Sequence, residues 1–159
     1  MQPRIAYGRV SADGVAALSG LESYVRHSGL EHSLLELVKT RASQINRCGY
    51  CIDMHTKDAR AGGESEQRLY LLPAWREAPF YTERERAALE WTEALTQISE
   101  NDVADELYQR VRRQFDEKEL VDLTLAVTAI NSWNRLAIAF RTEVGSYQVR
   151  QPRTEPSTE

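Results

Sequence analysis

Between Asn46 and His55 the chain reads NRCGYCIDMH, which contains both cysteines of the 159-residue protein. Cys48 and Cys51 stand three residues apart and His55 follows four residues later, so on a helix the three side chains share one stripe. A thiol pair at that spacing closes a disulfide with little backbone movement, and an imidazole one turn away takes a proton from a thiol or steadies its thiolate. The same groups suit a second chemistry, because two cysteines, a histidine and one carboxylate complete a tetrahedral zinc shell. His27 and His32 are the candidates for completing such a shell, although structural zinc usually draws on two separated ligand clusters and this chain offers one. A third possibility is packing alone, with two small apolar residues beside a core histidine. Residue types and spacing leave thiol redox chemistry, metal binding and packing open.

The local pattern calls for a helix under these groups. Cys48, Cys51, Ile52, His55 and Ala59 fall on one side, and Asp53, Lys57 and Arg60 on the other. Asn46 is the expected N-cap, which sets Cys48 in the first turn, where free N–H groups and the helix dipole lower a thiol pKa; Arg47 acts in the same direction. Gly62-Gly63 ends the segment. Upstream, Asp13 to Gly29 and Glu31 to Ile45 read as helices. The second carries Leu34, Leu35, Val38, Ala42 and Ile45 in one narrow arc. Glu36 lies opposite that arc, so periodicity makes it a solvated charge pairing with Lys39.

Downstream, Glu64 to Leu72 is a short helical piece stopped by Pro73, and Pro73 to Tyr81 is a connection. Thr82 with Glu85, and Asp116 with Glu119, form capping boxes for two further helices, with another from about Val103 to Phe115 between them. The last helix, running to about Val144, is apolar nearly all round, which suits a central packing helix or half of a subunit interface. Its Asn131 and Asn134 need partners. The three tryptophans, Trp75, Trp91 and Trp133, read as core or interface. The expected fold is all-α, with about six or seven helices in one domain over residues 1–144 and a flexible tail over 145–159. The net charge of −4 with dispersed arginines offers no basic patch for nucleic acid. No stretch has the length of a membrane span or the pattern of a signal peptide, so the expectation is a cytoplasmic protein.

Glu36, then Cys48, Cys51 and His55, resembles the signature of the AhpD-like alkylhydroperoxidase and carboxymuconolactone decarboxylase superfamily. The similarity runs from about Leu34 to Arg141 and is far more specific than the CxxC alone. It implies an all-helical subunit of a homotrimer or homohexamer, with peroxidase or disulfide-reductase activity needing no flavin, haem or metal. In that pattern Cys51 is oxidised to a sulfenic acid, Cys48 is its proton donor and resolving partner, and Glu36 with His55 relays the thiol proton through water. The resemblance also turns Glu36 toward the cysteine helix, against its periodicity. Helix position favours Cys48 as the more acidic thiol; the neighbouring His55 favours Cys51 as the attacking one. Tyr50 departs from the best-characterised peroxidases, which carry histidine there, and a phenol titrating near ~10 cannot do the same proton work. Lactone decarboxylases of the superfamily lack the cysteine pair, so the expected reaction is reduction of a peroxide through a Cys48–Cys51 disulfide recycled by an external thiol or dithiol. The alternative is a dithiol redox sensor or a disulfide reductase.

Overall fold

The computed structural model describes residues 2–149, and every regular element among them is helical. The chain forms α1 (Tyr7–Val10), α2 (Ala12–Arg26), α3 (His32–Ile45), α4 (Gly49–Ala61), α5 (Glu66–Leu71), a 3-10 turn (Leu72–Ala74), α6 (Glu83–Thr96), α7 (Asp105–Arg112) and α8 (Glu117–Phe140). Both capping boxes form. The Glu85 N–H donates to Thr82 Oγ1 at 3.2 Å while the Thr82 N–H donates to the Glu85 carboxylate at 2.8 Å, and Asp116 with Glu119 repeats the exchange at 2.8 and 2.9 Å. Ser65 caps α5 through the Arg68 N–H.

Helix α1 is the element absent from the sequence expectation. Four residues are too few to show a period, and it is held by tertiary contacts. The Arg4 N–H and guanidinium donate to the Phe140 and Ala139 carbonyls at 3.0 and 3.1 Å, and the Tyr7 ring lies 5.6 Å from that of Phe140. Helix α8 stops at Phe140 rather than near Val144 because Arg141 turns left-handed, with φ of 56°, and the Thr142 N–H closes onto the Ala137 carbonyl.

Helix α3, not α8, is the central element. It packs against α4, α6 and α8, and Leu34 through Thr40, Ala42 and Ser43 are all buried, on every face. Leu34, Leu35 and Val38 join the main core with α2, α6, α7 and α8, whereas Leu37 turns the other way into a second core with Leu72, Trp75, Tyr81 and Leu89. Helix α8 buries Leu123, Ala126, Val127 and Ile130 but leaves Val121 and Ile138 exposed. A third, smaller core holds Ala42, Cys48, Cys51, Ile130 and Ala137, flanked by Tyr50 and Trp133. The cysteines thus sit where α3, α4 and α8 meet. Residues 145–149 of the expected tail lie along α4: the Tyr147 hydroxyl donates to Asp58 at 2.6 Å, and Lys57 Nζ donates to the Tyr147 carbonyl at 3.0 Å. Residues 150–159, the rest of that tail, fall outside the described residues.

Candidate active site

The turn from α3 to α4 aims the dithiol. Arg47 takes the left-handed conformation, with φ of 59°, the Cys48 N–H donates to the Ser43 carbonyl at 2.9 Å, and the extended Cys48 becomes the N-cap of α4. Asn46, the expected N-cap, instead closes α3 and reaches across to α8. Its amide donates to Asn134 Oδ1 at 2.8 Å and to Asn131 Oδ1 at 3.0 Å. The Asn134 amide donates in turn to Ser43 Oγ at 3.0 Å, so two side chains of the α3 C-terminus are tied to α8 beside the cysteines.

Both thiols are free and buried, with 1% exposure each. Cys48 makes no capping hydrogen bond of standard geometry, yet the Cys51 thiol, acting against burial and joined by the Cys51 N–H, the Asn134 amide and the Tyr50 N–H, brings its pKa down to about 7. The Cys51 thiol is pushed up, because it donates to Cys48 and is itself buried. The pair therefore ionises as a unit, losing its first proton near neutrality and holding the second through the S–H···S⁻ contact. The dipole expectation for Cys48 as the more acidic thiol agrees with this direction. Access is reversed: a cavity of about 950 Å³ is lined by Cys51, and Cys48 lies behind it.

Glu36 is 1% exposed, so the surface position expected from periodicity is incorrect and the placement implied by the family resemblance holds. A glutamate on the polar side of an apolar arc reads as solvated only if that side meets water, and α3 is enclosed by α4 there. Glu36 Oε2 lies 2.8 Å from His55 Nδ1. Burial raises the Glu36 pKa, but the hydrogen bond from His55 and the charges of His55, Lys39 and His32 outweigh it and hold the carboxyl below its usual range. An ionised Glu36 fixes the proton on His55 Nδ1, leaving Nε2 as the basic nitrogen. Lys39, the partner expected for Glu36, is bound to Glu22. His32 sits on the cavity wall with Nε2 3.7 Å from Glu36 Oε1, and exposed His27 bonds to the Ser23 carbonyl.

Around Cys51 and His55 the cavity wall carries Tyr7, Tyr50, Met54, Trp133 and Tyr147. Burial first, then nearby negative charge, raises the Tyr50 phenol, so it stays protonated at neutral pH and serves as cavity wall. Trp75 and Trp91 are core residues, bonded through Nε1 to Glu93 and Thr124. Sequence reasoning missed Ser43, Asp58 and Tyr147. Of these, only Asp58 had a signal, standing three residues after His55 on the same helix.

The all-helical fold is that of the AhpD-like class, and here it carries a buried dithiol beside a glutamate–histidine pair. The chain belongs to the carboxymuconolactone decarboxylase family, whose model matches residues 12–94. It is 46% identical over 146 residues to the uncharacterized protein YdfG of Bacillus subtilis, covering 92% of this chain and 99% of that protein. It superposes with a TM-score of 0.88 and 44% identity on a protein of unknown function from Agrobacterium tumefaciens, provisionally described as the antioxidant defence protein AhpD, over 92% of this chain and 100% of that one. A peroxidase-related protein from Ralstonia eutropha, described as an alkylhydroperoxidase AhpD core, shares the fold at 17% identity and a TM-score of 0.77, over 87% of this chain and 74% of its own. Among the described residues no helix is long and apolar enough to cross a membrane.

Proposed function

We propose that this chain is a CxxC-dependent thiol peroxidase, with Cys51 as the attacking thiol, Cys48 as its resolving partner, and Glu36 with His55 as the proton relay. The observation that carries the reading is the ionised Glu36 held on His55 Nδ1, one helical turn from the cysteine that lines the cavity.

In the resting monoanion the Cys51 thiol donates to the Cys48 thiolate, and transfer of that proton leaves the negative charge on Cys51, facing the cavity. Cys51 Sγ attacks the terminal oxygen of a hydroperoxide, the O–O bond breaks, and the alcohol leaves with the proton now on Cys48. Cys48 Sγ then attacks the Cys51 sulfenic acid, the S–S bond forms and hydroxide departs as water. One proton enters from solvent by way of His55 Nε2, and Glu36 stabilises the imidazolium formed in passing. An external dithiol reopens the disulfide in two exchange steps. The account fits a reducing cytoplasm, where such donors are present, and a homotrimeric or homohexameric assembly, which light scattering on the purified protein tests directly.

The test is steady-state consumption of an alkyl hydroperoxide with a dithiol donor. Cys51→Ser abolishes it, and Cys48→Ser accumulates a sulfenic acid at Cys51 that a dimedone-type probe captures. Equal turnover by Cys51→Ser and wild type overturns the assignment. Oxidation that occurs once and does not cycle points instead to a dithiol sensor.

A further inference from the structure

The thiol chemistry leaves two features of this cavity unused. Glu36 Oε1 is buried with no hydrogen-bond partner, and Nε2 of the exposed His32 on the cavity wall stands 3.7 Å from it. Asp58, half-buried on α4, lies one turn after His55 on the same wall. One ligand atom each from Glu36, His55 and Asp58 lie within 4.8 Å of one another.

We propose that Glu36, His55 and Asp58 form a binding site for a divalent transition-metal ion of the zinc class, beside the dithiol, with His55 and Asp58 on the cavity wall and Glu36 buried behind them. The charge count fits, since two carboxylates and a neutral imidazole balance a dication. The donor set selects within the dications: an imidazole nitrogen with two carboxylate oxygens suits zinc and its neighbours, whereas magnesium and calcium take oxygen alone and copper(I) takes sulfur. Ligand atoms at about 2.0–2.1 Å from a tetrahedral zinc stand roughly 3.3 Å apart, so the three must draw together. The ion takes the place of the proton that His55 Nδ1 shares with Glu36 Oε2 at 2.8 Å, and the half-buried Asp58, whose Oδ1 accepts from the Tyr147 hydroxyl, supplies the remaining movement. His32, with Nε2 already near Glu36 Oε1, stands where a fourth ligand would enter. Occupancy takes the imidazole out of the thiol relay, so the ion is a reversible block on dithiol oxidation. That consequence rests on the peroxidase reading, whereas the site itself does not.

The competing site is the dithiol, and the test removes it. The full-length Cys48→Ser/Cys51→Ser protein is titrated with Zn²⁺ against a chromophoric zinc indicator, alone and with Asp58→Asn or Glu36→Gln added. Helicity is checked by circular dichroism, so that either isosteric variant suffices if the other misfolds. The expected result is one Zn²⁺ per chain in the cysteine-free protein, weakened about tenfold or more by either added substitution. X-ray absorption at the zinc edge then shows a shell of nitrogen and oxygen without sulfur. Loss of binding on removing the cysteines, or binding untouched by both Asp58→Asn and Glu36→Gln, overturns the proposal. Failure of peroxide turnover in wild type, with this binding intact, would overturn the peroxidase reading alone.

Discussion

Two carboxylates, the buried Glu36 of α3 and the half-buried Glu93 that meets α3 from α6, are held in different ways. Glu93, on α6, accepts from Trp75 Nε1 at 2.8 Å, Arg41 Nε at 2.7 Å and Arg76 Nη1 at 2.6 Å. Burial opposes its ionisation, and those donors, Trp75 first, more than compensate and hold its pKa below the ordinary range. Glu36 is also ionised, but it has one hydrogen-bond donor, His55, and its second oxygen has none. A carboxylate with donors on both oxygens ties the Trp75 loop, α3 and α6 together. The unsaturated one keeps a lone pair and a titratable partner free for chemistry. Leaving a buried acceptor unpaired costs about 1–3 kcal/mol, which a purely structural position would not retain.

Substitution on each side separates the two roles. Glu36→Gln and His55→Ala should each slow peroxide-dependent disulfide formation by about 10²–10⁴-fold, the usual contribution of a positioned proton-transfer group, measured by stopped flow under single-turnover conditions. Glu93→Gln should leave that rate unchanged and lower stability by about 2–3 kcal/mol in urea denaturation, because it weakens bonds from two guanidiniums. A rate loss in Glu93→Gln as large as that in Glu36→Gln would erase the distinction.

The thiol pair gives a smaller, pH-dependent signature. Thiolate ultraviolet absorbance in wild type should rise by one thiolate per chain near pH 7, with the second absent until well above the ordinary thiol range. Cys48 is depressed from 9.0 to about 7 in the fold, so the unfolded chain binds more protons between those values and stability rises with pH across that window. Cys51 is raised, so above pH 9 the native state binds more protons and the pair's contribution falls again. The smallest effect belongs to the turn that aims the pair. Arg47→Gly should stabilise the protein by about 1 kcal/mol by relieving a left-handed non-glycine residue, with thiol acidity preserved.

Helix class, both capping boxes and the pairing of Cys51 with His55 on one helix face were legible because each depends on neighbours within one or two turns, whereas Cys48, expected in the first turn of that helix, is its extended N-cap. Glu36 was not legible from its own helix. The polar side of α3 carries Glu36, Lys39 and Ser43, whose partners His55, Glu22 and Asn134 come from three other helices, and amphipathicity cannot register a face that is buried by polar partners. The family spacing supplied that position. The same limit explains Asn46, which has the right residue type for an N-cap but is recruited by Asn131 and Asn134 some 85 and 88 residues away. It also explains Tyr147, which sits in a segment without periodicity and is placed by contacts with α4 that include bonds to Asp58 and from Lys57.

The most direct measurement is intact-mass spectrometry of the reduced protein mixed with an alkyl hydroperoxide and quenched over time, followed by peptide mapping. The account predicts rapid loss of two hydrogens located to a Cys48–Cys51 disulfide, restored by a dithiol and repeatable over many cycles. Oxidation no faster than that of a free thiol in solution would contradict it.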